Sequence, residues 1–361
     1  MTNSEQIPTA ILGASGYIGQ HFARLLAHHP KFAPPVLVGS ERSHGQRLED
    51  LWQLTEEVPP ELATQRLRQL SPAQLQRGGI RVVFGAIPSG LAGPIEADCR
   101  RRGIHVFTNA ADHRLDPDVP LLVPEVNASH LRALAPLSRG RGLLVANPNC
   151  TATGLVLALA PIWSMLSPKV VHVTTFQALS GAGFPGISSL SINDNVVPFI
   201  PHEEEKVAEE SNRILGVVRG HHIAPATVPF LANCARVGVR DGHLEAVTVE
   251  TRRRPSAASL HRAWTRFDPL ENLSLSTAPH PPIEVRPQVD RPQPSRDRWA
   301  GKPDRARGMA AVIGRVRWDP PYLRFFVLSH NAVRGGAGGS VLNAELADSL
   351  HLLDSGRGRG P

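Results

Sequence analysis

The sequence predicts an α/β chain in two parts: a doubly wound parallel sheet of the Rossmann type, then an α+β part on a second sheet. Three observations predict it. Thr9 to Leu12 is an apolar run that stops at Gly13-Ala14-Ser15-Gly16-Tyr17-Ile18-Gly19, after which Phe22, Leu25 and Leu26 form a helical stripe. Short apolar runs then alternate with helical stretches as far as Asn147, as parallel strands with crossover helices require. Beyond Asn147 the runs lengthen and become rich in Val, Thr and Phe, the pattern of a mixed or antiparallel sheet.

In chain order, the first sheet takes Thr9 to Leu12, Pro35 to Gly39, Ile80 to Ala86, Ile104 to Thr108 and Leu143 to Ala146, with Leu91 to Arg102 helical. The second takes Val170 to Leu179, Leu244 to Thr251, Met309 to Trp318 and Leu323 to Leu328, with helices over Glu203 to Leu215 and Ser256 to Phe267 on one face. Pro279 to Pro303 is Pro-rich and reads as a long irregular connection. Gly339 to Leu353 is helical through Val341, Leu342, Leu346 and Leu350 and is expected to return to the first part. The expected division is therefore 1–147, completed by 335–361, and 148–334.

At 361 residues and 41% hydrophobic content the chain can bury two full cores. No run is long and apolar enough to span a membrane, and Met1 to Pro8 is polar, so a cytoplasmic location is expected. Cys99, Cys150 and Cys234 follow no metal spacing, so free thiols and no metal are expected. The net charge is +7, but the basic residues are scattered among acids and prolines. Their densest runs, Arg252 to Arg254, Arg286 to Arg307 and Arg357 to Arg359, hold a single aromatic residue, Trp299, and not the series of aromatics that base stacking uses, which argues against a nucleic-acid partner. Positive charge is carried almost wholly by arginine, with lysine at Lys31, Lys169, Lys206 and Lys302.

Three motifs carry chemistry. The glycines at 13, 16 and 19 let backbone approach a pyrophosphate at a helix N-terminus. At the end of the second strand, Gly39-Ser40-Glu41-Arg42-Ser43 offers both an acid for a ribose hydroxyl and donors for a 2′-phosphate; Ser40, Arg42 and Ser43 weigh toward NADP. Asn147-Pro148-Asn149-Cys150-Thr151 mounts a cysteine where a strand meets a helix. The field of that helix end is expected to lower the thiol pKa, and its unpaired amides to hold an oxyanion. His243, after the turn at Asp241-Gly242, is a candidate general acid and base.

With Val123 to Asn127, Gln177 to Gly183, Glu203 to Lys206 and His330 to Gly336, these runs make the chain resemble the aspartate-semialdehyde dehydrogenases of archaea and fungi nearly end to end. The resemblance implies NADPH-dependent reduction of L-aspartyl 4-phosphate on the way to lysine, threonine and methionine, by a homodimer or homotetramer. It implies Cys150 as nucleophile, His243 as acid and base, and Gln177 placing the carbonyl. Arg236 would hold the substrate carboxylate, Glu203 its amino group, and Lys206 and Arg114 its phosphate. Gly13, Ser15, Gly16, Tyr17, Ile18, Ser40, Arg42, Ser43, Ser89, Ser180, Gly181, Asn331 and Gly335 would line the cofactor site. The chain departs from the family at Pro201-His202, Gly238, Ala111-Asp112 and Gly336, around the substrate pocket and not at the nucleophile. Malonyl-CoA reductase, built on the same framework, is the alternative acyl reductase. A catalytically silent nucleotide-binding or polyanion-binding protein is the alternative of another class.

Overall fold

The computed structural model describes residues 6–354. The basic tail Arg357 to Arg359 lies outside them. The first sheet is wholly parallel, with strand order β2-β1-β3-β4-β5. Its strands are β1 (Thr9–Leu12), β2 (Val36–Val38), β3 (Val82–Gly85), β4 (His105–Thr108) and β5 (Leu144–Ala146). All but the first residue of β2 are buried, as strands covered on both faces should be. Helices α1 (Tyr17–Leu26), α2 (Ala92–Arg101) and α3 (Pro124–Leu134) make three of the four crossovers, and short helical turns make the one from β2 to β3.

Helix α4 (Cys150–Leu159) leaves the end of β5 and enters the core of the second part. There a six-stranded sheet runs β11-β12-β13-β10-β6-β9. Its members are β6 (Pro168–Gln177), β9 (Phe230–Arg236), β10 (His243–Thr251), β11 (Ile283–Arg286), β12 (Ala311–Asp319) and β13 (Tyr322–Ser329); β7 (Val217–Arg219) and β8 (His222–Ala224) form a separate hairpin. The sheet is mixed: β6 pairs in parallel with β9 and β11 with β12, while the other neighbours are antiparallel. Residues alternate strictly along β10, so one face carries Val247 and Val249 into the core with Leu155, Trp264 and Phe325. Helices α5 (Glu203–Ile214) and α6 (Ala257–Thr265) pack with α4 on this side, and the Trp264 indole donates to the Ala158 carbonyl at 2.8 Å.

Two expectations need correction. The Pro-rich stretch is not wholly irregular, since it contains β11 and a short helical turn, Pro294–Asp297. β11 is an edge strand, where neighbouring prolines remove no ladder bond. Strand β9 was not foreseen at all. The last helix, α7 (Gly338–Ser349), does return to the first part, burying Val341, Leu342 and Leu346 with Phe22 and Phe84. Just before it, Arg334 donates two hydrogen bonds of 2.7 Å to Glu125 of α3. Both side chains are 1% exposed, so removing either partner would leave a buried charge, at a cost of about 3–5 kcal/mol.

Candidate active site

Asn149 caps α4, its Oδ1 accepting from the amides of Thr151 at 2.9 Å and Ala152 at 3.1 Å. The cap holds Cys150 at the first helical position. It also uses two of the amides expected to be free for an oxyanion. Gly335 lies against the cysteine so closely that a Cβ there would sit 2.6 Å from that of Cys150.

His243 begins β10, between β6 and β13. Its Nε2 is 3.2 Å from Cys150 Sγ, and its Nδ1 accepts the Ala178 amide at 3.0 Å. The turn before it is fixed at Gly242, whose φ of +98° is left-handed and whose N–H donates to Asn331 at 2.9 Å. Asn331 in turn donates to the Ser180 hydroxyl at 2.8 Å. These two expected cofactor contacts therefore brace each other and the histidine. Gly181 packs beneath, since a Cβ there would lie 2.6 Å from Arg236 Nη1 and 3.3 Å from His243 Nε2.

Gln177 ends β6 in register with Arg236 at the end of β9. The amide nitrogen of Gln177 donates to Glu203 at 2.9 Å and to Thr175 Oγ1 at 3.3 Å. Glu203, buried at the start of α5, also accepts from Thr151 Oγ1 at 3.3 Å. Arg236 is 6% exposed and donates Nη1 to the Ala178 carbonyl at 2.8 Å. Among the described residues no carboxylate pairs with it, and its Nε has no partner. A buried guanidinium so placed is ready for an anionic ligand.

Arg114 is already engaged, donating to Glu210 at 2.9 Å and to the Asn109 carbonyl at 2.8 Å. Glu210 also accepts the Asn149 amide at 2.5 Å, so it ties the arginine to the cap of α4. Sequence reasoning missed this residue. It lies seven positions after Glu203 on the same helix, so the spacing placed both on one face. Lys206, half-buried between them in sequence, has no carboxylate partner among the described residues.

The sulfur's electrostatics reverse the expectation. Burial, with Glu203 nearby, pushes the Cys150 thiol up to about 12; Arg114, Arg236 and the Thr151 amide pull the other way but do not win. Burial, with Arg236 and His330 beside it, holds His243 well below the usual imidazole range. Both shifts favour the uncharged forms of the pair.

The glycine turn fits a dinucleotide. Gly13 has φ +86°, and a Cβ there would lie 2.7 Å from the Ala86 carbonyl, so only glycine closes the turn. Gly16 stands at the N-cap of α1 with no side chain to cap it, leaving amides around Ser15, Tyr17 and Ile18 for phosphate oxygens. Tyr17 donates its hydroxyl to Asp241, linking this turn to the one before His243. Ser40 and Arg42 are exposed, whereas Ser43 is buried and donates to the Ser40 carbonyl at 3.2 Å. Ser89 accepts the Ala111 amide at 2.8 Å.

Two family models match the chain, the semialdehyde dehydrogenase NAD binding domain over residues 8–134 and the semialdehyde dehydrogenase dimerisation domain over 159–334. The aspartate-semialdehyde dehydrogenase of Archaeoglobus fulgidus is 43% identical, over 93% of this chain and 96% of that protein. The crystal structure of the Candida albicans aspartate semialdehyde dehydrogenase with NADP superposes with a TM-score of 0.84 at 32% identity, covering 96% of this chain and all of that one. The chain belongs to the aspartate-semialdehyde dehydrogenase family. The malonyl CoA reductase (NADP) of Metallosphaera sedula is also similar, 38% identical over 96% of this chain and 98% of that protein.

His202 stands at the N-cap of α5 with φ +58°. That is the left-handed region glycine enters freely, so a histidine there carries strain of about 1 kcal/mol. No helix among the described residues is long and apolar enough to cross a membrane.

Proposed function

We propose that this chain reduces L-aspartyl 4-phosphate to L-aspartate 4-semialdehyde with NADPH, releasing phosphate through a thioester on Cys150. The observation that carries the assignment is the Cys150–His243 contact of 3.2 Å beside the buried guanidinium of Arg236, which no carboxylate pairs with among the described residues. Arg236 is suited to the substrate carboxylate and Glu203 to its ammonium. Between them they set the acyl carbon against the sulfur. Lys206 and Arg114 balance the phosphate that leaves as the C–S bond forms. Gln177, its donors given to Glu203 and Thr175, positions Glu203. His243 is the acid and base at the reacting centre. The cofactor would lie along Gly13, Ser15, Gly16, Tyr17 and Ile18, with Ser40, Arg42 and Ser43 at its 2′-phosphate and Ser89, Ser180, Gly181, Asn331 and Gly335 toward its other end. When bound, NADPH supplies the hydride.

In this reading residues 1–147 and 335–361 serve the cofactor, and 148–334 the chemistry and the subunit contact in a cytoplasmic homodimer or homotetramer. Phe176 and Leu231, 36% and 50% exposed on the outer face of the second sheet, support that contact. The reduction serves amino-acid biosynthesis toward lysine, threonine and methionine.

Malonyl-CoA reduction is the second reading, favoured by the likeness to the Metallosphaera protein. The reverse reaction separates them. With aspartate semialdehyde and NADP, turnover should need phosphate or arsenate to cleave the thioester, and Lys206→Ala should raise the KM for phosphate about tenfold while leaving that for semialdehyde nearly unchanged. Turnover driven by CoA and indifferent to phosphate overturns the assignment.

A further inference from the structure

Tyr17 reaches across the joint between the two parts of the chain. Its amide belongs to the glycine turn, at the first position of α1, whereas its ring lies against residues of the second part. There it packs edge-on against Phe184, with ring centroids 5.0 Å apart, and donates its hydroxyl to Asp241 Oδ1. Both residues are buried, so water competes little for the bond. The ring of His21 packs edge-on against Tyr17 at 5.0 Å, and neither of its nitrogens has a hydrogen-bond partner among the described residues.

The hydroxyl closes a circuit of hydrogen bonds that runs in one direction. The Gly242 amide can only donate, so the atom of Asn331 that faces it at 2.9 Å is the oxygen, and the Asn331 nitrogen faces the Ser180 hydroxyl at 2.8 Å. Ser180 accepts there and acts on the Tyr17 phenol oxygen as a donor. Tyr17 donates in turn to Asp241, the residue before Gly242. Backbone repeats the tie, the amides of Leu179 and Ser180 donating to the carbonyls of Val239 and Arg240 at 2.7 Å and 3.1 Å. The other oxygen of Asp241 lies 3.8 Å from Nε of Arg240, a side chain half exposed to water whose pull is screened. Burial, with Asp241 beside it, raises the Tyr17 phenol above its usual range, so the hydroxyl keeps its proton at neutral pH.

We propose that Tyr17 is a positioning residue for the reaction: its hydroxyl holds Asp241, Asp241 fixes the turn ahead of His243, and that turn sets the imidazole 3.2 Å from the Cys150 sulfur. The pyrophosphate of the cofactor would rest at the amide of the same residue. One side chain thereby ties the seat of the hydride donor to the seat of the nucleophile. This rests on the reading of Cys150 and His243 as the reacting pair, and it holds for either acyl donor and whether the imidazole gives or takes a proton.

Tyr17→Phe removes one oxygen and keeps the amide, the ring and its packing on Phe184 and His21. In this variant kcat should fall about tenfold while the KM for the aldehyde and the Kd of NADPH stay within about twofold, because misplacing a reacting group costs rate and not ground-state binding. Alkylation of Cys150 by iodoacetamide, read without any substrate, should slow about threefold as the imidazole drifts from the sulfur. Asp241→Ala should match Tyr17→Phe, and the double variant should lose no more than about twice what either single one does, since both break the same bond. Asp241→Asn keeps an oxygen to accept the hydroxyl proton and should lose less than Asp241→Ala. Each ratio is taken against the unmutated protein with the acyl acceptor it uses, phosphate or CoA, so failure of the acyl-phosphate assignment leaves the comparison standing. A kcat and an alkylation rate unmoved in Tyr17→Phe overturn the proposal, as do losses that multiply in the double variant. A loss of NADPH affinity as large as the loss of kcat would make Tyr17 a cofactor contact alone and overturns it too.

Discussion

The two edges of the first sheet end in contrasting ways. At one edge β5 runs into Cys150, and nearly every polar group is committed: Asn149 to the helix amides, Glu210 to Arg114 and Asn149, Asn331 to the turn before His243. At the other edge β2 runs into Ser40-Glu41-Arg42, all exposed, with no side-chain partner for Arg42 among the described residues. The first arrangement is preorganised, so its groups need not reorganise when charge moves. The second is left for a ligand to complete. Substitutions at the first edge should therefore change rate, and at the second mainly cofactor preference.

The largest effect tests the first edge. Cys150→Ser should lower NADPH oxidation with acyl phosphate by at least about ten-thousandfold while leaving NADPH affinity within about twofold, because the nucleophile and not the fold is lost. Alkylation mapped by peptide should reach Cys150 before Cys99 and Cys234, which are fully buried. Since burial raises the Cys150 thiol toward about 12, its alkylation rate should climb steadily with pH through the neutral range. A plateau below neutrality would mean that the thiolate already prevails, and the contrast in preorganisation would need another basis.

Next comes Arg236, whose guanidinium no carboxylate pairs with among the described residues. Arg236→Leu should cost about a hundredfold in kcat/KM, roughly 3 kcal/mol, and Arg236→Lys should recover only part of it, since an ammonium cannot offer the paired geometry of a guanidinium. Activity on an acyl phosphate lacking the α-carboxylate should hardly change. Equal losses on both substrates would place the arginine in the scaffold and not in recognition.

Much of this was legible in the chain. The strands of the first sheet read within a residue or two, because strands buried on both faces appear as unbroken apolar runs. Asn149 stood in the sequence as an N-cap residue directly before a helix. The contact between Cys150 and His243 spans 93 residues, and only the family likeness joined them. Glu210 looked like one more charge on an acidic helix face until α5 docked beside α4. Strand β9 was hidden because Asn233, Cys234 and Arg236 interrupt its apolar pattern, although β6 supplies its full ladder. The sign of the Cys150 shift could not be read either, because the helix field is a local property whereas burial depends on β10, α5 and Gly335 closing over the sulfur.

The smallest expected effect lies at the exposed edge. Arg42→Ala should raise the KM for NADPH about tenfold and leave that for NADH nearly unchanged, because only the 2′-phosphate offers the arginine a charge-assisted contact. The same change should leave kcat and the alkylation profile of Cys150 as they were, the two edges being separated by the width of the sheet. Since Arg42 is exposed, its contribution should shrink as salt is added, whereas losses at Arg236 should persist. Steady-state kinetics with both cofactors at two ionic strengths read all of this at once. Equal use of NADPH and NADH by the unmutated protein would instead give Glu41 and the ribose hydroxyl the decisive part at this edge.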